Sequence, residues 1–313
     1  MSRKGIITVT LNPSVDVTLW LDGMHPDKAN RVLRETREVG GKGINVSRVV
    51  RAFGLESLCV TVAGEDNSRE LVSFLEADGL HYELVPAEGA VRENLTLRTE
   101  GQTIKINRKG PALSDMMFNA LMALIRSRLH PGDIVVFAGS LPENVALQDY
   151  VELILAVRNA GALVALDSDL LSLEDYARIR PWAIKPNIHE LKNIVPVDGT
   201  TITDVAAAAL RLREVGVENV LVSLGGNGLL SVSEEGVLRA VVPPVEVKST
   251  VGAGDSLLGG FVVGTVKEMP YAERVRLAAA CGTASVMLDG TAVADKAEAM
   301  AVMENVRVEE MDG

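Results

Sequence analysis

Residues 249–261 read STVGAGDSLLGGF. A turn of small residues, Gly252, Ala253 and Gly254, leads to one carboxylate, Asp255, and a helix-compatible run from Ser256 to Val266 follows at once. Backbone N–H groups at such a junction lack helical partners, and the helix dipole adds positive potential. The junction is therefore an anion hole. A carboxylate repels a bound anion, so Asp255 is a poor choice for binding phosphate alone. Its place makes sense if it takes a proton from an attacking hydroxyl while the N–H groups hold a moving phosphoryl group. The same string also suits an ordinary turn and N-cap, so other residues must decide.

Four further stretches bear on that choice. Gly40-Gly41-Lys42-Gly43-Ile44-Asn45 is neither a P-loop, lacking the Lys-Ser/Thr ending, nor a Gly-x-Gly-x-x-Gly turn. Its glycines allow close approach of backbone to a ligand, and Lys42 and Asn45 add a charge and an amide at the same edge. Asn12-Pro13-Ser14-Val15-Asp16 ends a strand-like run. Asp16 can accept hydrogen bonds from two sugar hydroxyls, although Asp is also commonplace at turns. In Lys185-Pro186-Asn187-Ile188-His189-Glu190, Asn187 and Glu190 stand one helical turn apart. They can hold water on a hard cation such as Mg²⁺, or serve as an N-cap and a dipole-favoured Glu. His189 falls off that face and reads as a solvated surface histidine. Ser223-Leu224-Gly225-Gly226-Asn227-Gly228 joins two strand-like runs and suits either a nucleotide cradle or a hairpin turn.

The elements that must position these groups alternate. Ile6–Leu11, Leu58–Ala63, Ile134–Ala138, Leu163–Leu166 and Val220–Ser223 read as buried strands. Helices are expected over Ile44–Phe53, Ser68–Asp78, from an N-cap at Ser114 to Leu129, over Ala146–Ala160, from Thr203 to Val215, and after Asp255 and Pro270. Such alternation means an α/β fold with a parallel sheet covered on both faces, whose ligand loops follow strand C-termini. Gly139-Ser140, Asp167 and Gly225-Gly226 fall there. Val15–Val39 and Arg92–Ile106 instead carry period-2 patterns without helices and read as a small separate sheet, either a lid or an edge hairpin.

Composition narrows the function. The formal charge of −11 argues against nucleic acid or an anionic membrane surface as partner, and it requires local Lys and Arg if the substrates are phosphates. Cys59 and Cys281 read as core filler, with no metal-ligand spacing or disulfide framework, which fits a reducing compartment. The N-terminal apolar run is too short for a signal peptide, and no stretch is long and apolar enough to span a bilayer.

Together these motifs resemble the ribokinase-like carbohydrate kinases. They are most similar to the phosphosugar branch, which holds the 1-phosphofructokinases, tagatose-6-phosphate kinases and minor 6-phosphofructokinases. GGKGINVSR at Gly40–Arg48 and STVGAGDSLLGGF at Ser249–Phe261 carry the resemblance, with TLNPSVD, GSLP at Gly139–Pro142, KPNIHE and SLGGNG in order across nearly the whole chain. The resemblance implies a three-layer α/β sandwich with a mostly parallel central sheet and a small β-sheet lid. Residues 1–11, 38–90 and 111–313 would form the nucleotide- and sugar-binding core, and 12–37 and 91–110 the discontinuous lid. It also implies a cytoplasmic homodimer paired through the lids.

The implied reaction is ATP-dependent phosphorylation of a ketohexose monophosphate, fructose 1-phosphate first, with tagatose 6-phosphate or fructose 6-phosphate as alternatives and Mg²⁺ as cofactor. By resemblance Asp255 is the base, and Gly252, Ala253 and Gly254 are the anion hole. Lys185, Asn187, Ser223, Leu224, Gly225, Gly226, Gly228 and Gly254 contact ATP, while Asn187 and Glu190 organise Mg²⁺ through water. Asp16, Gly40, Gly41, Lys42 and Asn45 hold the sugar, helped by Ser140. Arg92 clamps the phosphate the substrate brings, a bidentate contact that an unphosphorylated sugar would not need. Arg31 reaches that phosphate from a neighbouring subunit's lid. Thr96 stands where 1-phosphofructokinases commonly carry Lys, and Arg98 or Lys109 could replace that charge. At a helix N-terminus, Asp255 is expected to have a pKa that is not high. The non-enzyme alternative is a nucleotide or sugar-phosphate sensor, which would have no use for the base.

Overall fold

The first strand, β1 (Ile6–Thr10), is buried along its whole length, the mark of a central strand covered on both faces. The computed structural model describes residues 4–311 apart from Asp198 and Thr200, so the expected core segments reach outside the described residues at both ends. After β1 come β2 (Ser14–Leu21), β3 (Val32–Gly40), α1 (Lys42–Ala52), β4 (Leu58–Gly64), α2 (Ser68–Ala77) and β5 (His81–Ala87). The chain continues through β6 (Arg92–Thr99), β7 (Gln102–Ile106), α3 (Asp115–Arg128), β8 (Ile134–Ala138), α4 (Leu147–Asn159) and β9 (Leu163–Asp167). Next are α5 (Leu173–Ile179), β10 (Ala183–Ile184), α6 (Ile188–Ile194), α7 (Ile202–Glu214), β11 (Asn219–Ser223), β12 (Leu229–Ser233) and β13 (Gly236–Val241). The last elements are α8 (Ala253–Val266), α9 (Tyr271–Val286), α10 (Lys296–Met303) and β14 (Arg307–Met311).

Ten strands form one sheet in the order β14-β13-β12-β11-β10-β9-β8-β1-β4-β5. Pairing is parallel from β5 to β11 and antiparallel from β11 to β14. Side-chain parity sorts the layers. Ile7 and Val9 join Val60, Val135 and Phe137 against α3 to α7, while Ile6, Ile134 and Val136 join the apolar faces of α1, α8, α9 and α10. The fold is thus an α/β sandwich of three layers with a large, mostly parallel sheet.

The two segments without helices form a second sheet of four strands, β3-β2-β6-β7, in which β2 and β6 run parallel. Val15, Val17 and Val39 at its root pack with Ile44, Cys59, Leu71 and Leu75, which seats the small sheet on α1, α2 and β4. Its far end is bare, with Leu33 70% and Ile104 48% exposed.

Several boundaries differ from the sequence expectation. Helix α7 starts one residue earlier than Thr203 because Thr201, not Thr203, caps it in a reciprocal pair with Asp204. Helix α1 starts at Lys42, directly after Gly41. Strand β10 has two residues and shows no pattern to read. Both cysteines are buried. Among the described residues no helix is long and apolar enough to cross a membrane.

Candidate active site

Loops following β1, β8, β9, β10 and β11 meet the small sheet and the N-terminus of α8 around one cavity of about 1190 Å³. That exceeds the size usual for a single small ligand. From β1 to β11 the sheet order takes four steps, or roughly 19 Å at the usual strand spacing. The cavity therefore has length for two ligands end to end.

Its middle is a buried charge cluster. Gly252, in the left-handed region with φ +78°, caps α8, and Asp255 in the first turn is 6% exposed. Asn45 Nδ2 donates to Asp255 Oδ2 at 2.8 Å. The amide is itself oriented, since Asn45 Oδ1 accepts from Arg48 Nη1 at 3.2 Å and Arg48 Nε is held by Asp78 at 2.6 Å. Asp167, at the end of β9, is 2% exposed. Lys42 Nζ donates to its Oδ1 at 3.1 Å, and Lys185 Nζ lies 3.5 Å from its Oδ2. That second ion pair is not aligned as a hydrogen bond, and Oδ2 is left without a hydrogen-bond partner. Lys185 lies over Gly254, where a Cβ would stand 2.7 Å from Nζ. Glycine at 254 thus lets an ammonium group approach the anion-hole backbone.

Burial and neighbouring charges shift Asp255 and Lys42. Burial first, and the Asp167 charge second, push the Asp255 carboxyl up to about 6, against the pull of Asn45, Lys185 and Lys42. This corrects the expectation from its helix position: dehydration outweighs the dipole. Burial opposes the charge on Lys42, but Asp167, Asp255 and Glu190 outweigh it and leave its pKa raised.

At the lid end, Asp16 Oδ1 accepts from Ser14 Oγ at 2.8 Å and from Asn94 Nδ2 at 2.9 Å. Asn12 Nδ2 donates to Ser140 Oγ at 3.2 Å and to the Leu141 carbonyl. Buried polar atoms here lack partners: Arg92 Nε, Asn94 Oδ1, Asn12 Oδ1 and Thr10 Oγ1. Buried polar groups are normally paired, so four orphans around one cavity point to a polar ligand that completes them. Burial lowers the Arg92 pKa, and Asp16 partly restores it.

At the other end, Ser223, Leu224, Gly225, Gly226 and Gly228 line the cavity beside Lys185, Asn187 and Glu190. An apolar slot of Val242, Pro243, Pro244, Val245 and Ala279 faces them. Asn187 is the N-cap of α6: its Oδ1 accepts from the His189 and Glu190 N–H groups, and Glu190 Oε2 accepts from its own N–H. The capping geometry is thus present. Among the described residues, Glu190 Oε1 and Asn187 Nδ2 make no protein hydrogen bond. His189 is exposed, as its position in the motif suggests, yet also lines this end.

Most of the residues singled out in the sequence converge on the cavity, including Asp16, Gly41, Lys42, Asn45, Arg92, Ser140 and Gly252–Asp255. Gly40 does not line it; a Cβ there would strike Asp16 and Ser14, so its glycine leaves room for those side chains. Arg31 is exposed and stands outside the cavity, ahead of β3. Lys109 is engaged by Glu143 at 2.9 Å. Sequence reasoning missed Asp167 as a member of the charge cluster, the unpartnered amide oxygens of Asn12 and Asn94, and the apolar slot. The Pro243-Pro244 pair was the available signal for the slot.

Comparison with known proteins shows the family. A family model described as "pfkB family carbohydrate kinase" matches residues 9–297. The chain is 35% identical over 280 residues to 1-phosphofructokinase of Bacillus subtilis, covering 90% of this chain and 92% of that one. It is 29% identical over 285 residues to tagatose-6-phosphate kinase of Staphylococcus epidermidis, covering 90% and 92%. Among solved structures, phosphofructokinase-2 from Escherichia coli in complex with substrates and products superposes with a TM-score of 0.90 at 30% identity, covering 96% and 98%.

Proposed function

Because the chain belongs to the pfkB family of carbohydrate kinases, we propose that it transfers the γ-phosphoryl group of ATP to a free hydroxyl of a ketohexose monophosphate, fructose 1-phosphate before its isomers. The observation that carries this reading is the position of Asp255: a buried carboxylate at an anion hole, between a polar lid end and an apolar slot of one cavity. The sugar lies against Asp16, Asn94, Asn12, Ser140 and Asn45, and Arg92 meets its phosphate. The adenine lies in the slot of Val242–Val245 and Ala279, with the phosphates running past Ser223–Gly228 toward Lys185.

The substrate oxygen attacks the γ-phosphorus, the bond to the bridging oxygen breaks, and ADP leaves. Asp255 takes the hydroxyl proton. With a pKa of about 6 it is ionised at neutral pH and is a stronger base than an ordinary carboxylate. The N–H groups of Gly252–Gly254 hold the transferring oxygens, and Lys42 and Lys185 balance the charge that develops. Asn187 and Glu190 line this end of the cavity, where they would organise the water around an Mg²⁺ held mainly by ATP. Among the described residues no cluster of three acidic, His or Cys side chains forms a full protein cage. Bound there, the ion would neutralise the phosphates of ATP.

A homodimer through the lids accords with the exposed Leu33 and Ile104, and would bring Arg31 to a neighbour's site. The cytoplasm is the compartment this reading implies. Similarity to a tagatose-6-phosphate kinase, together with Thr96, supports tagatose 6-phosphate as the second reading. The test is ADP release with Mg·ATP across fructose 1-phosphate, tagatose 6-phosphate, fructose 6-phosphate, fructose and ribose at equal concentrations. A lead in kcat/KM for fructose 1-phosphate is expected. Activity only on unphosphorylated sugars would defeat the Arg92 assignment, and binding without turnover would leave a sensor.

A further inference from the structure

Glu38 belongs to the small sheet but takes no part in the reaction above. Strand register sets it beside Asp16, which lines the main cavity. Its Oε2 accepts two hydrogen bonds from Thr291, from the backbone N at 3.1 Å and from Oγ1 at 3.1 Å. Glu38 also stands so near Gly290 that a Cβ there would strike the carboxylate. Thr291 is only 5% exposed and borders the main cavity. Arg48 and Arg51 line a smaller cavity with Glu38. Arg48 is instead held by Asp78, and Glu38 forms no ion pair among the described residues. Its carboxylate thus joins two neutral donors from a loop more than 250 residues away in sequence.

That loop continues the contact. The Gly290 carbonyl accepts from Ser249 Oγ at 2.8 Å, and the same Oγ accepts from the Val251 N–H at 3.2 Å. Val251 precedes Gly252, the cap of α8. An unbroken series of short contacts therefore runs from the lid strand beside Asp16 to the anion hole. A hole built from glycines has little stiffness of its own. Something outside it must hold its N–H groups, because a misplacement of about 1 Å can cost about 10²-fold in rate.

We propose that Glu38 is a positioning residue for the anion hole, tying strand β3 through Thr291, Gly290 and Ser249 to the loop that carries Gly252. The inference rests on the proposed kinase reading for its catalytic consequence, but the tie itself can be read without substrate. Glu38→Gln keeps an oxygen acceptor for both Thr291 donors, whereas Glu38→Ala removes it and leaves a buried N–H unpaired. In the full chain, hydrogen exchange of the 250–254 amides should quicken in Glu38→Ala and stay near wild type in Glu38→Gln. With sugar phosphate and Mg·ATP, kcat per folded molecule should fall about 10–100-fold in Glu38→Ala, with the sugar-phosphate KM nearly unchanged and kcat near wild type in Glu38→Gln. Unchanged exchange at 250–254 in a folded Glu38→Ala would overturn the tie. So would a lower melting temperature with kcat per folded molecule intact, or a Gln variant as impaired as Ala. If the wild type turns over no ketohexose phosphate, the proposed function fails, and the exchange experiment still decides the tie.

Discussion

Asp255→Asn should make the protein inactive and more stable, and the second effect is the sharper test of the site. A carboxyl held at about 6, against an ordinary 3.8, favours its protonated form by about two pKa units. In the native state it holds its proton between about pH 4 and 6, where the unfolded chain has released it. Stability from this group is therefore present at low pH and lost as pH rises through about 6. At pH 8 the native protein carries the full cost, roughly 3 kcal/mol at 1.36 kcal/mol per unit. An unfolding entropy of about 2 cal/mol/K per residue converts this to about 5 °C in a chain of this length. Asparagine keeps the shape without the charge, and Lys42 and Lys185 keep Asp167. The melting temperature of Asp255→Asn should exceed wild type by a few degrees at pH 8, with the gap closing toward pH 5. Its kcat should fall about 10²–10⁴-fold. A variant less stable than wild type by the same margin at both pH values would refute the reasoning, because Asp255 would then be stabilised by the cluster and not strained by it.

Three further outcomes follow from the same geometry. The kcat/KM profile should fall as pH drops through about 6, and Asp167→Asn should move that limb to lower pH because the Asp167 charge is the second cause of the shift; an unmoved limb would leave burial as the sole cause. Arg92→Ala should cut kcat/KM for a phosphosugar about 10–100-fold, the size of a lost hydrogen bond to a charged group, with the KM for ATP unchanged; equal losses on unphosphorylated sugars would remove Arg92 from phosphate recognition. Gly259→Ala should destabilise the fold by about 1–3 kcal/mol in urea, since a Cβ there would lie 2.7 Å from Val49 Cβ where α8 packs on α1; a neutral result would mean that the two helices separate freely.

What the sequence showed and what it hid divide along a physical line. Buried strands such as Ile134–Ala138 and caps such as Ser114 are decided by neighbours in the chain, so they were legible with boundaries good to a residue or two. The period-2 runs around Val17 and Leu95 revealed the small sheet for the same reason. Strand β10 is held in place by β9 and β11 on either side, and its two residues carry no pattern of their own. The site divides likewise. Anion-hole glycines and Asp255 announce themselves locally, because a loop-to-helix junction is a local object. The chemistry of Asp255 is not local. Asp167 lies 88 positions earlier and Asn45 more than 200, and only the parallel sheet and the seat of α8 on α1 bring them together. The dipole argument drawn from the helix alone predicted a pKa that is not high, because it left out burial and the Asp167 charge. In this fold the residue types at the reacting centre are written in short motifs, while their protonation is set by which strands are neighbours. A substitution that changes strand packing far from Asp255 can therefore alter its proton affinity without touching any residue of the motif.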